Sequence, residues 1–253
     1  MAVDRPTQGR ESELARALAT VRSRLAAAAD AAGRNVDEIE LLPITKFFPA
    51  TDVAILSRLG CRSVGESREQ EASAKIGELA RLLGSASQQV HWHMVGLIQR
   101  NKARSLARWA HTAHSVSSSR VVTALDRAVG AALAGGQRSN PLRVYVQISF
   151  DGDVSRGGID ISAPGAVDEI CAQVEASETL ELVGLMGIPP LDWDPDKAFA
   201  RLQSEHRRVL ESHPNAVGLS AGMSNDFEIA VKHGSTCVRV GTALLGPRPL
   251  RSP

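Results

Sequence analysis

Two cations at the ends of apolar runs carry the most chemistry in this sequence. Lys46 closes the run Leu41–Lys46, and Arg239 lies within Cys237–Thr242. Side chains alternate faces along a strand, so Leu42, Ile44 and Lys46 share one side. An amine at the mouth of an apolar enclosure suits carbonyl condensation. Desolvation lowers a lysine pKa, and the neutral amine is the form that attacks an aldehyde or ketone. The bland alternative is a surface lysine at a strand terminus. If the first and last strands are neighbours, Arg239 approaches Lys46, and two inward cations require an anionic or electron-rich ligand. The alternative for Arg239 is a salt bridge to a carboxylate such as Glu66. Gly241 lets backbone N–H groups come close to a ligand, and Thr242 adds a hydroxyl. The stretch Ser220–Asn225 enters a helix, with Ser224 or Asn225 as its expected N-cap. Such a loop presents unpaired N–H groups to an anion.

His91 and His93 form an HxH pair on one strand face, a spacing used by some metal-dependent barrel hydrolases. Such sites need further ligands from later strands. The later strand candidates hold no histidine, and His206, His213 and His233 fall in helical stretches. No metal is therefore expected. His93 is expected to hydrogen-bond or stack against a ligand, and His91 to be structural. Asn101 and Lys102 are expected either to anchor a short helix or to lie on a solvated face.

Positioning these groups falls to a regular alternation of elements. Eight runs have strand character: 41–46, 63–66, 90–96, 111–116, 143–149, 180–187, 217–221 and 237–242. Stretches with helical spacing fall between them at 52–59, 68–83, 99–107, 120–133, 165–175, 195–210 and 225–233. A further helix, 11–32, precedes them all and ends at Gly33. Strand–helix alternation demands parallel strands with crossover helices. Eight such units in 253 residues match a single-domain α/β fold, a (β/α)8 TIM barrel with an extra N-terminal helix. An open doubly wound sheet competes, but no GxGxxG follows the first strand. The expected limits are a flexible tail over 1–10, the barrel over 11–246 and a second tail over 247–253. In a barrel, chemistry sits at the C-terminal strand ends, where Lys46, Arg239 and the Ser220–Asn225 loop fall.

Composition narrows the function classes. Lys and Arg number 29 against 28 Asp and Glu, which argues against a nucleic-acid groove or a polybasic membrane patch. No apolar run approaches the roughly 18 residues of a membrane span, and no secretory h-region is visible. Three scattered cysteines, Cys61, Cys171 and Cys237, suit a reducing cytoplasm.

Taken together, the strand-end motifs resemble those of the pyridoxal phosphate homeostasis proteins, single-domain relatives of the alanine racemase N-terminal barrel. The resemblance runs from about Leu41 to Gly246. It rests on Ile44–Lys46 (ITK), Gly65–Glu66, Trp92–Lys102 (WHMVGLIQRNK), Gly184–Ile188 (GLMGI), Leu219–Asp226 (LSAGMSND) and Arg239–Gly246 (RVGTALLG). It implies that Lys46 carries pyridoxal 5′-phosphate (PLP) as a lysine aldimine. It implies phosphate contacts from Gly222, Met223, Ser224, Gly241 and Thr242, and Arg239 facing the pyridine nitrogen. His93, Met186 and Ser220 would line the pocket. The chain departs from the family pattern at Ser67, where Asn is usual, at His114, where Asp is common, at Ala221, where Met is more usual, and at Arg156, within a run that elsewhere contains Lys.

The resemblance also bears on activity. An arginine at the pyridine nitrogen disfavours its protonation and weakens the ring as an electron sink. In alanine racemase the opposite acid/base is a tyrosine from a C-terminal domain of the partner subunit, and only 11 residues follow Thr242 here. The single tyrosine, Tyr145, lies early in its strand, away from the mouth. The expectation is a cytoplasmic, monomeric PLP carrier in intracellular PLP homeostasis, without efficient amino-acid catalysis, that hands PLP to apo-enzymes. A fold-type III racemase or lyase of narrow scope is the alternative. A Schiff-base aldolase using Lys46 on a phosphorylated sugar is a third.

Overall fold

The computed structural model describes residues 5–153 and 157–248. Strands β1 (Glu40–Pro43), β2 (Ser63–Glu66), β3 (His91–Met94), β4 (Ala110–Val116) and β5 (Leu142–Ser149) are followed by the two-residue β6 (Ile159–Asp160). Then come β7 (Leu180–Gly187), β8 (Gly218–Ser220) and β9 (Cys237–Val240). All pair in parallel, in the order β1-β9-β8-β7-β5-β4-β3-β2. A bridge between Ile44 and Gly65 brings β1 to β2 and nearly closes the ring. The expected α/β barrel of eight parallel strands is present. β6, which pairs only with β5, is an unforeseen addition.

The alternation of side chains sorts each strand into two faces. Val144, Val146 and Ile148 of β5 join the large helix-facing core, whereas Tyr145, Gln147 and Ser149 point the other way, into the lumen. On β9, Val238 and Val240 pack outward against the N-terminal helix, leaving Cys237 and Arg239 inside. The lumen is therefore partly polar. It also holds His93, Thr112, His114 and Ser220, all buried.

Helix α1 (Arg5–Ala31) covers the β1–β9 side. Its stripe Leu14, Leu18, Val21, Leu25 has helical spacing and packs on Phe227, Val231, Leu244 and Leu245. Each such side chain, fully buried, contributes about 1.5–3 kcal/mol. Gly33, at φ +64°, ends the helix turn, with Arg34 N–H returning to Ala29 O at 2.9 Å.

The expected tail boundaries move. The helix begins at Arg5 rather than Glu11. Arg10, placed in the tail by sequence, grips buried Asp52 at 2.7 Å and donates to Leu245 O at 3.0 Å. An ion pair with a buried carboxylate thus ties this segment down. The other helices are α2 (Ala50–Arg58), α3 (Glu69–Leu83), α4 (Ala103–Trp109), α5 (Ser119–Ala134), α6 (Pro164–Glu175), α7 (Pro195–Ser212), α8 (Phe227–Lys232) and α9 (Thr242–Leu245).

Candidate functional site

A cleft of about 340 Å³ opens at the C-terminal end of the barrel, lined by Lys46, Arg239, Gly241, Thr242 and the Met223–Asp226 loop, with Ile44, Val95, Ile188 and Leu191 as its apolar walls. Lys46 lies just beyond β1, in the turn that follows it. Its neighbours are held on every side. Thr45 N–H donates to Gly65 O at 2.9 Å and Thr45 Oγ1 to Glu66 Oε1 at 2.6 Å. Phe47 N–H donates to Glu71 Oε1 at 2.5 Å. Phe47 itself sits at φ +71°, the left-handed region that side chains other than glycine rarely occupy. The Arg248 guanidinium stacks 3.6 Å from its ring centroid, and that of Arg68 lies at 5.7 Å. Strained backbone beside a functional amine is a recurring arrangement. Arg248 belongs to the expected C-terminal tail.

Arg239 is 5% exposed. Its Nη1 donates to Ser220 Oγ at 2.6 Å and its Nη2 to Gly187 O at 3.0 Å. The expected alternative, a salt bridge to Glu66, does not form. Glu66 is taken by Lys75 at 2.5 Å, on the far side of Thr45. Burial lowers the Arg239 guanidinium from its ordinary value, but a guanidinium remains a cation.

Two loops supply donors. Among the described residues, the backbone N–H groups of Ser224, Asn225, Gly241 and Thr242 donate to no acceptor of the chain. Ser224 Oγ accepts from Ala243 N–H at 3.2 Å and ties the two loops together. The cap of α8 is Asp226, not Ser224 or Asn225. Its carboxylate accepts from Met223 N–H, three residues back, at 2.6 Å and so shapes the loop.

Of the residues expected around the ligand, Lys46, Met223, Ser224, Arg239, Gly241 and Thr242 come together in this cleft. Gly222 stands just behind it, its carbonyl accepting from Arg239 N–H at 3.0 Å. His93, Met186 and Ser220 do not line it. Met186 packs with Tyr145 and Val183 in the lumen. Ser220 is the support of Arg239. His93 is buried and lies 3.0 Å from His114. His91, on the same strand face, is exposed and stacks on His111 at 4.1 Å. Among the described residues no three His, Cys, Asp or Glu side chains gather as a metal site.

Lys102 closes a short 3-10 turn and reaches Glu69 at 3.7 Å. Ser67 lines a separate, smaller cleft with Glu69 and Lys102. Ala221 packs in the helix-facing core, and Arg156 lies outside the described residues. Residues the sequence reading missed are Phe47, Ile188, Leu191 and Asp226. Only Asp226 left a signal, a carboxylate three residues after a loop methionine at a helix start.

A parallel barrel with a lysine and an arginine converging on one polar cleft defines the class, and residues 18–249 match the alanine racemase N-terminal domain family. The chain belongs more narrowly to the pyridoxal phosphate homeostasis protein family. It is 76% identical to the member from Mycobacterium leprae over the whole of both chains. It is 34% identical to that of Escherichia coli over 94% of this chain and 97% of the other. Among solved structures, PipY of Synechococcus elongatus, described with PLP bound, superposes with a TM-score of 0.76 at 29% identity, over 92% of this chain and all of that one. An alanine racemase of Clostridium difficile shares the fold, with a TM-score of 0.65 at 14% identity, and this chain covers 56% of it.

Proposed function

We propose that this protein binds pyridoxal 5′-phosphate on Lys46 and acts as an intracellular carrier of it. The observation that carries the reading is the cleft itself, in which two cations and two loops of unused N–H donors converge. Among the described residues Lys46 makes no hydrogen bond or ion pair, so its amine is available to an aldehyde. The phosphate fits the Ser224–Asn225 and Gly241–Thr242 donors, and Ile44, Val95 and Ile188 fit the ring. PLP supplies an aldehyde that condenses with amines and a ring that withdraws electrons.

Arg239 can only donate hydrogen bonds. Facing the ring nitrogen, it would hold that nitrogen unprotonated. The remaining titratable side chain of the cleft is Asp226, whose carboxylate is engaged by Met223 N–H. Tyr145 is buried in the lumen against His114, and burial pushes its phenol up. A cleft without a histidine, tyrosine or cysteine in its lining is poorly equipped to move substrate protons. This supports a carrier rather than a racemase or lyase. We place the chain in the cytoplasm as a monomer that releases PLP to apo-enzymes. Among the described residues no helix is long and apolar enough to cross a membrane.

The test is direct. The purified protein is incubated with PLP, reduced with borohydride and digested, and the tagged lysine is mapped by mass spectrometry. The tag is expected on Lys46, and a tag confined to another lysine overturns the assignment.

A further inference from the structure

Behind the cleft runs a line of buried polar groups that the carrier reading does not use. Arg239 Nη1 lies 2.6 Å from Ser220 Oγ, Ser220 Oγ lies 2.9 Å from His114 Nδ1, and His114 Nε2 lies 3.0 Å from His93 Nδ1. His93 Nε2 has no hydrogen-bond partner, and Glu40 Oε1 stands 3.9 Å from it. Ser220 and His114 are inaccessible, and His93 is 2% exposed.

We propose that His114, acting through Ser220, is a positioning residue for Arg239, and that the whole line is hydrogen-bonded in one direction.

The direction follows from the donors. A guanidinium only donates, so Ser220 Oγ accepts from Arg239. Among the described residues that oxygen also faces His114 Nδ1 at 2.9 Å and the Cys237 thiol. Sulfur is a weak acceptor, so the one hydroxyl hydrogen of Ser220 goes to His114 Nδ1. An imidazole accepting at Nδ1 carries its proton on Nε2 and donates that N–H to His93 Nδ1. His93 must then hold its proton on Nε2, pointed toward Glu40. Burial keeps both rings neutral, lowering His93 to about 4 and His114 well below its ordinary value. Neighbouring rings fix the planes. Tyr145 stacks on His114 at 4.6 Å, and His111 on His93 at 5.7 Å.

The consequence lies at the cleft. With its hydrogen committed to His114, Ser220 turns lone pairs toward Arg239. With Gly187 O fixing the second guanidinium nitrogen, one edge of Arg239 is left for the ligand. Without His114, the Ser220 hydroxyl is free to rotate, and the guanidinium loses its fixed acceptor. This inference rests on the PLP reading only for what Arg239 faces. The order of the line belongs to the unliganded protein.

The test has two arms. In the first, the wild-type protein without PLP is labelled with 15N-histidine, and its ring nitrogens are read by NMR at pH 7. His93 and His114 are both expected as neutral Nε2–H tautomers. An Nδ1–H tautomer at His114, or a charged ring, overturns the proposal. In the second, PLP is titrated into wild type, His114→Phe and His114→Asn, and the pH dependence of the absorption band is followed. Loss of one aligned hydrogen bond is expected to raise the PLP dissociation constant about tenfold in His114→Phe and to move the pH profile. His114→Asn, which can return an acceptor oxygen to Ser220, is expected to restore part of both. A folded His114→Phe with wild-type affinity and pH profile overturns the proposal. If wild type itself takes up no PLP on Lys46, the carrier reading falls while the tautomer arm still decides the line's direction.

Discussion

Two lysines flank Thr45, and they live under opposite conditions. Lys75 is buried, donates to Thr45 O at 2.9 Å and pairs with Glu66 at 2.5 Å. Lys46 lies at the cleft with no hydrogen bond or ion pair among the described residues. The same contrast separates their surroundings. Around Lys75 the carboxylate and carbonyl partners are supplied by the chain, and Thr45, Glu66 and Glu71 brace the turn. Around Lys46, Arg239 and four backbone N–H groups form no ion pair or hydrogen bond with a carboxylate among the described residues, and the cleft's Asp226 accepts from Met223 N–H instead. Buried cations that a fold needs for itself are paired, because an unpaired one costs several kcal/mol. Where a fold gathers positive groups without pairing them internally, an anion from outside can complete them.

The strongest way to break this comparison is to exchange the fates of the two amines. Lys46→Ala is expected to abolish the borohydride-trapped adduct entirely while leaving weaker, phosphate-dependent affinity, read by equilibrium dialysis. Retention of the adduct in that variant would move the chemistry to another amine. Lys75→Met should behave in the opposite manner. It leaves Glu66 buried without its counter-ion, a loss of about 3–5 kcal/mol measurable by urea unfolding. Burial already pushes the Glu66 carboxyl up despite Lys75, so the variant should be less destabilised at acidic pH. Equal stability of Lys75→Met and wild type at pH 7 would show that the pair is not structural.

The lumen sharpens the comparison through pH. Burial, the dominant cause, holds His93 near 4. Its folded value lies below the unfolded one, so its contribution is fully present above about pH 6.5 and is lost as pH falls toward 4. For one buried imidazole this amounts to roughly 3 kcal/mol. Unfolding free energy followed between pH 7 and pH 4 should decline across this window, and His93→Asn should flatten the decline. An unchanged slope in that variant would remove His93 as the cause.

Much of this was legible from residue order. Alternation placed Leu42, Ile44, Lys46 and Arg239 on the inner face, and strand–helix spacing led to the barrel. Depth along the barrel axis was not legible. Strands tilt and stagger when a sheet closes, so residues of the same face on different strands reach different levels. His93 and Ser220 face inward as expected, yet neither lines the cleft: Ser220 pairs in register with Met186 and Cys237, and His93 is hydrogen-bonded to His114. Phe47 left no trace in the sequence, because the groups it contacts, Glu71, Arg68 and Arg248, lie far from it in the chain.

The smallest expected effects come from the two loop glycines, which separate structural from ligand-imposed demand. Gly222 has φ +88°, and an added Cβ would lie 2.7 Å from Phe227 Cα and Ala230 Cβ. The fold itself requires glycine there, and Gly222→Ala should cost about 1–3 kcal/mol in thermal or urea unfolding. Gly241 has φ −106°, and an added Cβ would meet Ile44 at an ordinary 3.7 Å. The fold does not require glycine at this position, so Gly241→Ala should change stability by less than about 0.5 kcal/mol. Its methyl group would instead stand beside the Gly241 and Thr242 N–H groups, where the proposed phosphate binds. PLP affinity should therefore fall in Gly241→Ala while inorganic phosphate competes less well, both read by the absorption band. Full affinity in a stable Gly241→Ala would take the phosphate away from this loop and leave the Ser224–Asn225 donors to hold it alone.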